Sequence, residues 1–149
     1  MRILSWNCRG AGRAPTVRAI KALARGEGPN VLFLSETKVK SSRIEKLRFS
    51  MSFFGSYCVD CVGKAGGLAL FWKAGIELEV VFENKYVMAS LIYSDPPDTT
   101  WLLLTIHGPP YLAKKRKFWK LMEELVSSFS GHWLLLGDLN SINETSEKK

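Results

Sequence analysis

The chain has 149 residues, 46% hydrophobic and 23% charged, with a formal net charge of +7. That length suits one domain able to bury its own core, and the composition excludes collagen-like, disordered and disulfide-scaffold classes. Three cysteines cannot close a disulfide framework, no apolar run approaches the ~20 residues of a membrane helix, and no secretory leader opens the chain, so an intracellular, reducing setting off the membrane is expected.

Residues 2–7 alternate as a short strand and run into a glycine-rich loop at 8–13. Pro15 suits the first turn of a helix; Val17, Ile20, Leu23 and Ala24 then recur at helical spacing until Gly26 and Gly28-Pro29 stop it. Residues 31–35 form a continuous apolar run, as a strand buried on both faces does. Strand, helix and strand in succession predict a βαβ unit with its two strands parallel. Strand-like runs follow at 57–62, 68–72, 76–82, 87–93 and 101–107, separated by turn-rich segments short enough for antiparallel hairpins. A second helix follows the basic cluster Lys114-Lys115-Arg116-Lys117, with Phe118, Leu121 and Leu125 as one stripe, widened by Trp119, Met122 and Val126. A last buried strand at 133–136 ends in Gly137-Asp138-Leu139-Asn140. The whole reads as one α/β domain, residues 1–149, with a mixed sheet system and no repeat or linker.

Charge is uneven along this order. Residues 1–50 carry 11 Lys+Arg against 3 Asp+Glu, whereas residues 51–100 carry 3 against 6. A basic first third permits an anionic partner such as a nucleic acid, although a solvated helix face accounts equally for runs of this kind.

Four strand-like runs each deliver a polar group at their C-terminal end: Asn7, Glu36, His107 and Asp138, with Asn140 two residues further on. If these strands are neighbours, the groups gather at one rim, where open α/β sheets bind ligands. A carboxylate and an amide oxygen suit a hard cation such as Mg²⁺, which keeps several waters and binds substrate phosphate. Asp138 and Asn140 are placed to orient a water and to contact a phosphate oxygen, and His107 is placed to donate to the same oxygens. Zinc chemistry has no support, because His107 and His132 are the sole histidines and Cys58-Val59-Asp60-Cys61 lacks a second half. That CxxC reads as packing. No nucleophile elbow is present. A dinucleotide fold is suggested by Gly10-Ala11-Gly12 between strand and helix, but Pro15 occupies the position that needs Gly or Ala.

The segment Ile3-Leu4-Ser5-Trp6-Asn7-Cys8-Arg9-Gly10 resembles the opening of the endonuclease/exonuclease/phosphatase superfamily. The resemblance continues in order through Leu34-Ser35-Glu36-Thr37-Lys38, Gly66-Gly67-Leu68-Ala69-Leu70-Phe71-Trp72-Lys73, His107-Gly108-Pro109-Pro110 and Trp133-Leu134-Leu135-Leu136-Gly137-Asp138-Leu139-Asn140. Within the superfamily the pattern is most similar to the endonuclease domain of plant LINE-type (non-LTR) retrotransposons. The resemblance implies a DNase I-like fold, a two-sheet mixed β-sandwich flanked by helices in four α/β/β/α layers. It implies hydrolysis of phosphodiesters or phosphomonoesters with Mg²⁺ or Mn²⁺, DNA as partner, and a nuclear location. Carried over, Glu36 is the main metal ligand, assisted by Asn7. Asp138 aligns or deprotonates the attacking water, and Asn140 contacts the scissile phosphate. His107 stands where relatives carry either tyrosine or histidine. Arg9, Arg13 and Lys38, beside the first two motifs, are the expected contacts to the nucleic-acid backbone.

The family pattern also has a further metal-binding aspartate and a closing Asp-His pair. Residues 141–149 contain no Asp and no His. The expectation is therefore a domain truncated at its C-terminus, with an incomplete second sheet and weak or absent catalysis. A non-catalytic nucleic-acid-binding remnant and a phosphatase of the same fold acting on a small ester are the alternatives.

Overall fold

A computed structural model describes residues 1–140 as β1 (Ile3–Asn7), α1 (Ala14–Glu27), β2 (Val31–Ser35), α2 (Ser41–Ser50), β3 (Gly55–Val59), β4 (Leu68–Trp72), β5 (Leu78–Glu83), β6 (Val87–Ile92), β7 (Trp101–His107), α3 (Leu112–Ser127) and β8 (Trp133–Asp138). The strands form two four-stranded sheets, ordered β1-β2-β4-β3 and β5-β6-β7-β8. Each sheet is mixed. β1 pairs with β2 in parallel, as the βαβ reading requires, and β7 pairs with β8 in parallel across α3. The remaining pairings are antiparallel.

The continuous apolar runs are explained by layering. In β2, Leu32 and Leu34 face Ile20 of α1 and Ile44 and Leu47 of α2, whereas Val31 and Phe33 face the other sheet. In β7, Leu103 belongs to the core between the sheets, and Leu102, Leu104 and Ile106 pack with Phe118 and Met122 of α3. Strands buried on both faces lose the alternation that a half-exposed strand shows. Three cores thus separate four layers, helix on sheet on sheet on helix, as expected. No helix among the described residues is long and apolar enough to cross a membrane.

Several boundaries differ from the sequence reading. Gly26 lies inside α1, and the stop is Gly28, which takes the left-handed C-cap conformation and donates its N–H to Ala24 O at 3.0 Å. Helix α2 has no counterpart in that reading. β3 begins two residues earlier than Tyr57 and ends at Val59, leaving Asp60 and Cys61 free for other contacts. β8 continues through Gly137 to Asp138, which sits opposite His107 in the ladder. The Cys58–Cys61 motif holds two free thiols, one half-buried and one buried, in keeping with packing. The expected incompleteness after Asn140 concerns residues that lie outside the described ones.

Candidate active site

The parallel pair β1–β2 of one sheet lies against the parallel pair β7–β8 of the other, and all four strands run towards the same end. Their last residues therefore meet across the gap between the sheets rather than along one sheet. Asn7 Nδ2 donates to Glu36 Oε1 at 3.1 Å and to Asp138 Oδ2 at 3.2 Å. His107 Nε2 lies 3.2 Å from Glu36 Oε1. Asn140 donates its backbone N–H to Asp138 Oδ1 at 2.9 Å and its side-chain amide to Gly108 O at 2.7 Å. Lys38 Nζ stands 3.8 Å from Glu36 Oε2. Six of the eight candidate residues thus form one connected cluster. Arg9 and Arg13 stand on the exposed loop between β1 and α1, outside it.

The donors and acceptors fix how this cluster is wired. An ionised carboxylate only accepts, so the Asn7 atom between Glu36 and Asp138 is its NH₂, and Nε2 of His107 carries a hydrogen toward Glu36. Asn140 Nδ2 donates one hydrogen to the Gly108 carbonyl and lies 3.4 Å from that same His107 nitrogen, which accepts its second hydrogen in the tautomer protonated at Nδ1 and only touches it when Nε2 carries the hydrogen. His107 is steadied from behind, its backbone N–H donating to Tyr86 O at 2.8 Å.

Backbone conformation contributes as much as side-chain choice. Glu36, Lys38 and Asn140 all take left-handed φ, at 52°, 55° and 47°. Each such non-glycine residue costs about 1–3 kcal/mol and persists where its surroundings over-determine it. The surroundings here are identifiable. Thr37 N–H donates to Gly67 O at 3.2 Å and Lys38 N–H to Gly66 O at 2.9 Å, so the Gly-Gly doublet clamps the loop that carries Glu36. Gly67 has φ 95°, and a Cβ there would overlap the Thr37 hydroxyl. Gly137, at φ 138°, lies where a Cβ would collide with the Ile106 carbonyl, so only glycine lets β8 bring Asp138 this close to β7. In sequence, Gly66 and Gly67 read as part of a turn-rich segment and of the family's central hairpin pattern. A glycine doublet directly before a buried strand was the available signal for a backbone clamp.

The cluster fits a hard divalent cation. Asn7 Oδ1 is buried with no hydrogen-bond partner, while the NH₂ of the same amide is fully used. A buried acceptor beside a carboxylate is what a cation would satisfy. No group of three or more His, Cys, Asp or Glu side chains suited to a metal is found among the described residues. One carboxylate and one amide oxygen are hard donors that leave positions for water and substrate, unlike a closed zinc-like set.

A family model described as the Endonuclease/Exonuclease/phosphatase family matches residues 4–148. Among solved structures, an AP endonuclease from Leishmania major shares 17% identity at a TM-score of 0.71, covering 97% of this chain and 56% of that one. TDP2 from Caenorhabditis elegans shares 20% identity at a TM-score of 0.67, covering 96% and 48%. A 3′ phosphatase, NExo, from Neisseria, bound to product DNA hairpin, shares 16% identity at a TM-score of 0.71, covering 99% and 60%. At such identities the likeness is one of fold, the DNase I-like arrangement of two mixed sheets between helices. The chain spans about half the length of the first two of these structures. No curated protein matches the chain by sequence.

Proposed function

Because the chain belongs to the endonuclease/exonuclease/phosphatase family, we propose that it hydrolyses phosphoester bonds in nucleic acid with a divalent cation, Mg²⁺ or Mn²⁺. The finer reading is a DNA-nicking endonuclease of the LINE retrotransposon kind, on the ordered motifs from Asn7 to Asn140. The observation that carries the hydrolase reading is the hydrogen-bonded bridge from Glu36 through Asn7 to Asp138, which joins a metal-binding carboxylate to a water-orienting one.

Each residue has a distinct part. Glu36 and Asn7 Oδ1 would hold the cation, which when bound neutralises negative charge on the phosphate oxygens. Both oxygens of Asp138 are held, one by Asn7 Nδ2 and one by the Asn140 backbone, so the carboxylate is aimed before substrate arrives. A water accepted there is oriented for in-line attack, with Asp138 taking its proton. Nε2–H of His107 and the Asn140 amide stand where a phosphoryl group would be clamped, each turning from its present partner to an oxygen whose charge grows in the transition state. Lys38, and Arg9 and Arg13 on the adjoining loop, supply positive charge for the flanking backbone.

Nicking of supercoiled plasmid under Mg²⁺ or Mn²⁺ tests this. Slow, chelator-sensitive nicking is expected, abolished by Glu36→Gln and reduced at least ~10²-fold by Asp138→Asn. Cleavage that persists in both variants, or that ignores a chelator, overturns the assignment.

A further inference from the structure

A cavity among the described residues lies beside the active-site cluster but outside it. It is a groove of about 590 Å³ between the β5–β6 turn and α3, with Tyr86, Phe118 and Leu121 as its apolar floor. Four lysines line it: Lys85 from the turn, and Lys114, Lys117 and Lys120 from one side of α3. We infer that this groove is a second anchoring subsite, for the sugar-phosphate backbone of a nucleic acid that leaves the active-site end of the sandwich and runs down along α3.

Three features argue for a built site and against a merely solvated helix face. The first is position. The backbone carbonyl of Tyr86, at the edge of the groove, accepts the His107 N–H at 2.8 Å, so groove and cluster share one strand end. The second is a preformed turn. Asn84 Oδ1 accepts from both Tyr86 N and Val87 N, at 2.8 and 3.0 Å, and Asn84 N–H donates to Val87 O at 3.0 Å, which fixes where Lys85 projects. Lys85 Nζ rests over the Tyr86 ring, 5.0 Å from its centroid, and that ring meets Phe118 edge-on at 6.2 Å. The third is spacing. Lys114, Lys117 and Lys120 fall on one helix face over about 9 Å. Successive phosphates of one B-form strand rise about 3.4 Å along the axis, so the row can address about three of them. Glu124 follows Lys120 by one helical turn and offsets it, which leaves Lys85, Lys114 and Lys117 as the effective anchors.

This subsite extends the nucleic-acid part of the function proposed above without depending on catalysis. The test titrates a labelled oligonucleotide, duplex and single-stranded, with the full chain over a series of salt concentrations. Lys114→Gln/Lys117→Gln is compared with Arg18→Gln/Arg25→Gln, a pair of equal charge change on α1 in the opposite outer layer. The α3 pair is expected to lower the slope of log affinity against log salt by about 2, and affinity at low salt about tenfold, and Lys85→Gln the slope by about 1. The α1 pair is expected to leave the slope unchanged. Equal effects of the two pairs would overturn the inference, as would binding of the parent chain to anionic phospholipid vesicles but not to the oligonucleotide. Hydrolysis of bis(4-nitrophenyl) phosphate, which has no backbone to anchor, is expected to be the same in all these variants. A parent chain that binds the oligonucleotide through the groove but cleaves no phosphodiester would refute the hydrolase reading and uphold the subsite.

Discussion

With a single NH₂ group, Asn7 serves two carboxylates, Glu36 and Asp138, that come from different sheets. An aspartate at this position has no hydrogen to give and adds a third negative charge. Asn7→Asp is therefore expected to lower Tm in a chelator, by several degrees for a loss of about 1–3 kcal/mol. Mn²⁺ should restore most of the loss, because an added carboxylate is a cation ligand. Thermal melts with and without Mn²⁺ check this, and a Tm indifferent to the ion would remove the cation from the site. At this scale much was legible in the sequence. Asn7, Glu36, His107 and Asp138 each end an apolar run, and polar groups at such places are informative because packing gives them no reason to be there. The left-handed backbone of Glu36, Lys38 and Asn140 was not legible. Glutamate and lysine carry no local mark of positive φ when the clamp that imposes it, Gly66-Gly67 in the case of Lys38, sits elsewhere in the chain, whereas asparagine adopts it more readily.

At the scale of elements, α2 shows how a helix hides from its own sequence. Only Ile44 and Leu47 are buried on it, a stripe too narrow to register as periodicity, and Phe49 is 68% exposed. Its first free N–H, that of Ser41, donates to Asp60 Oδ1 at 2.9 Å, so the cap comes from a residue 19 positions away rather than from the residue before the helix. The β-bulge between Val80 and Phe82 was equally silent. It turns Phe82 to the α3 side while Leu78 and Val80 face the inter-sheet core, although a regular strand would keep all three on one face. What ties α2 to β3 is Glu45, which accepts from Arg48 Nε at 2.9 Å and from Ser56 Oγ at 2.9 Å. The Arg48 hydrogen bond first, then that of Ser56, holds the Glu45 carboxyl below the usual glutamate range. Folded protein thus takes up this proton less readily than unfolded chain. The stabilisation is present above the ordinary glutamate value and is lost as pH falls through the depressed one. Glu45 is exposed, so the effect is small. Wild type is expected to melt about 1–2 °C above Glu45→Gln at pH ~6, and the gap should close as pH falls well below the ordinary glutamate value. A gap that widens on acidification would mean that the pair does not act in the folded state.

For the whole molecule, the decisive fact is that the candidate active-site cluster belongs to neither sheet alone. Asn7 ends β1 and Glu36 directly follows β2 in one sheet, and His107 and Asp138 end strands of the other, so the separation of the carboxylates is set by what fills the space between the sheets. The sequence announced buried strands and a βαβ start. It did not announce this partition, since a run such as residues 101–107 is apolar on both faces and does not say which face meets a helix and which a sheet. Leu103 and Leu104 separate the two faces within one strand. They are adjacent, identical and fully buried, but Leu103 packs between the sheets with Phe33, Leu70 and Met88, and Leu104 packs in the core that includes Phe118 and Met122 of α3. Either Leu→Val substitution removes one methylene in a β-compatible way and should cost about 1 kcal/mol in urea unfolding. Their effects on the site should diverge. Leu103→Val lets the sheets settle against each other and changes the reach from Asn7 to Asp138, whereas Leu104→Val relaxes towards α3 and leaves that distance alone. Mn²⁺ titration calorimetry on the two variants is expected to show weaker binding for Leu103→Val, by about threefold or more, and unchanged binding for Leu104→Val. Equal affinities at matched stability loss would show that the ends of the strands, and not the core between the sheets, fix the geometry of the cluster.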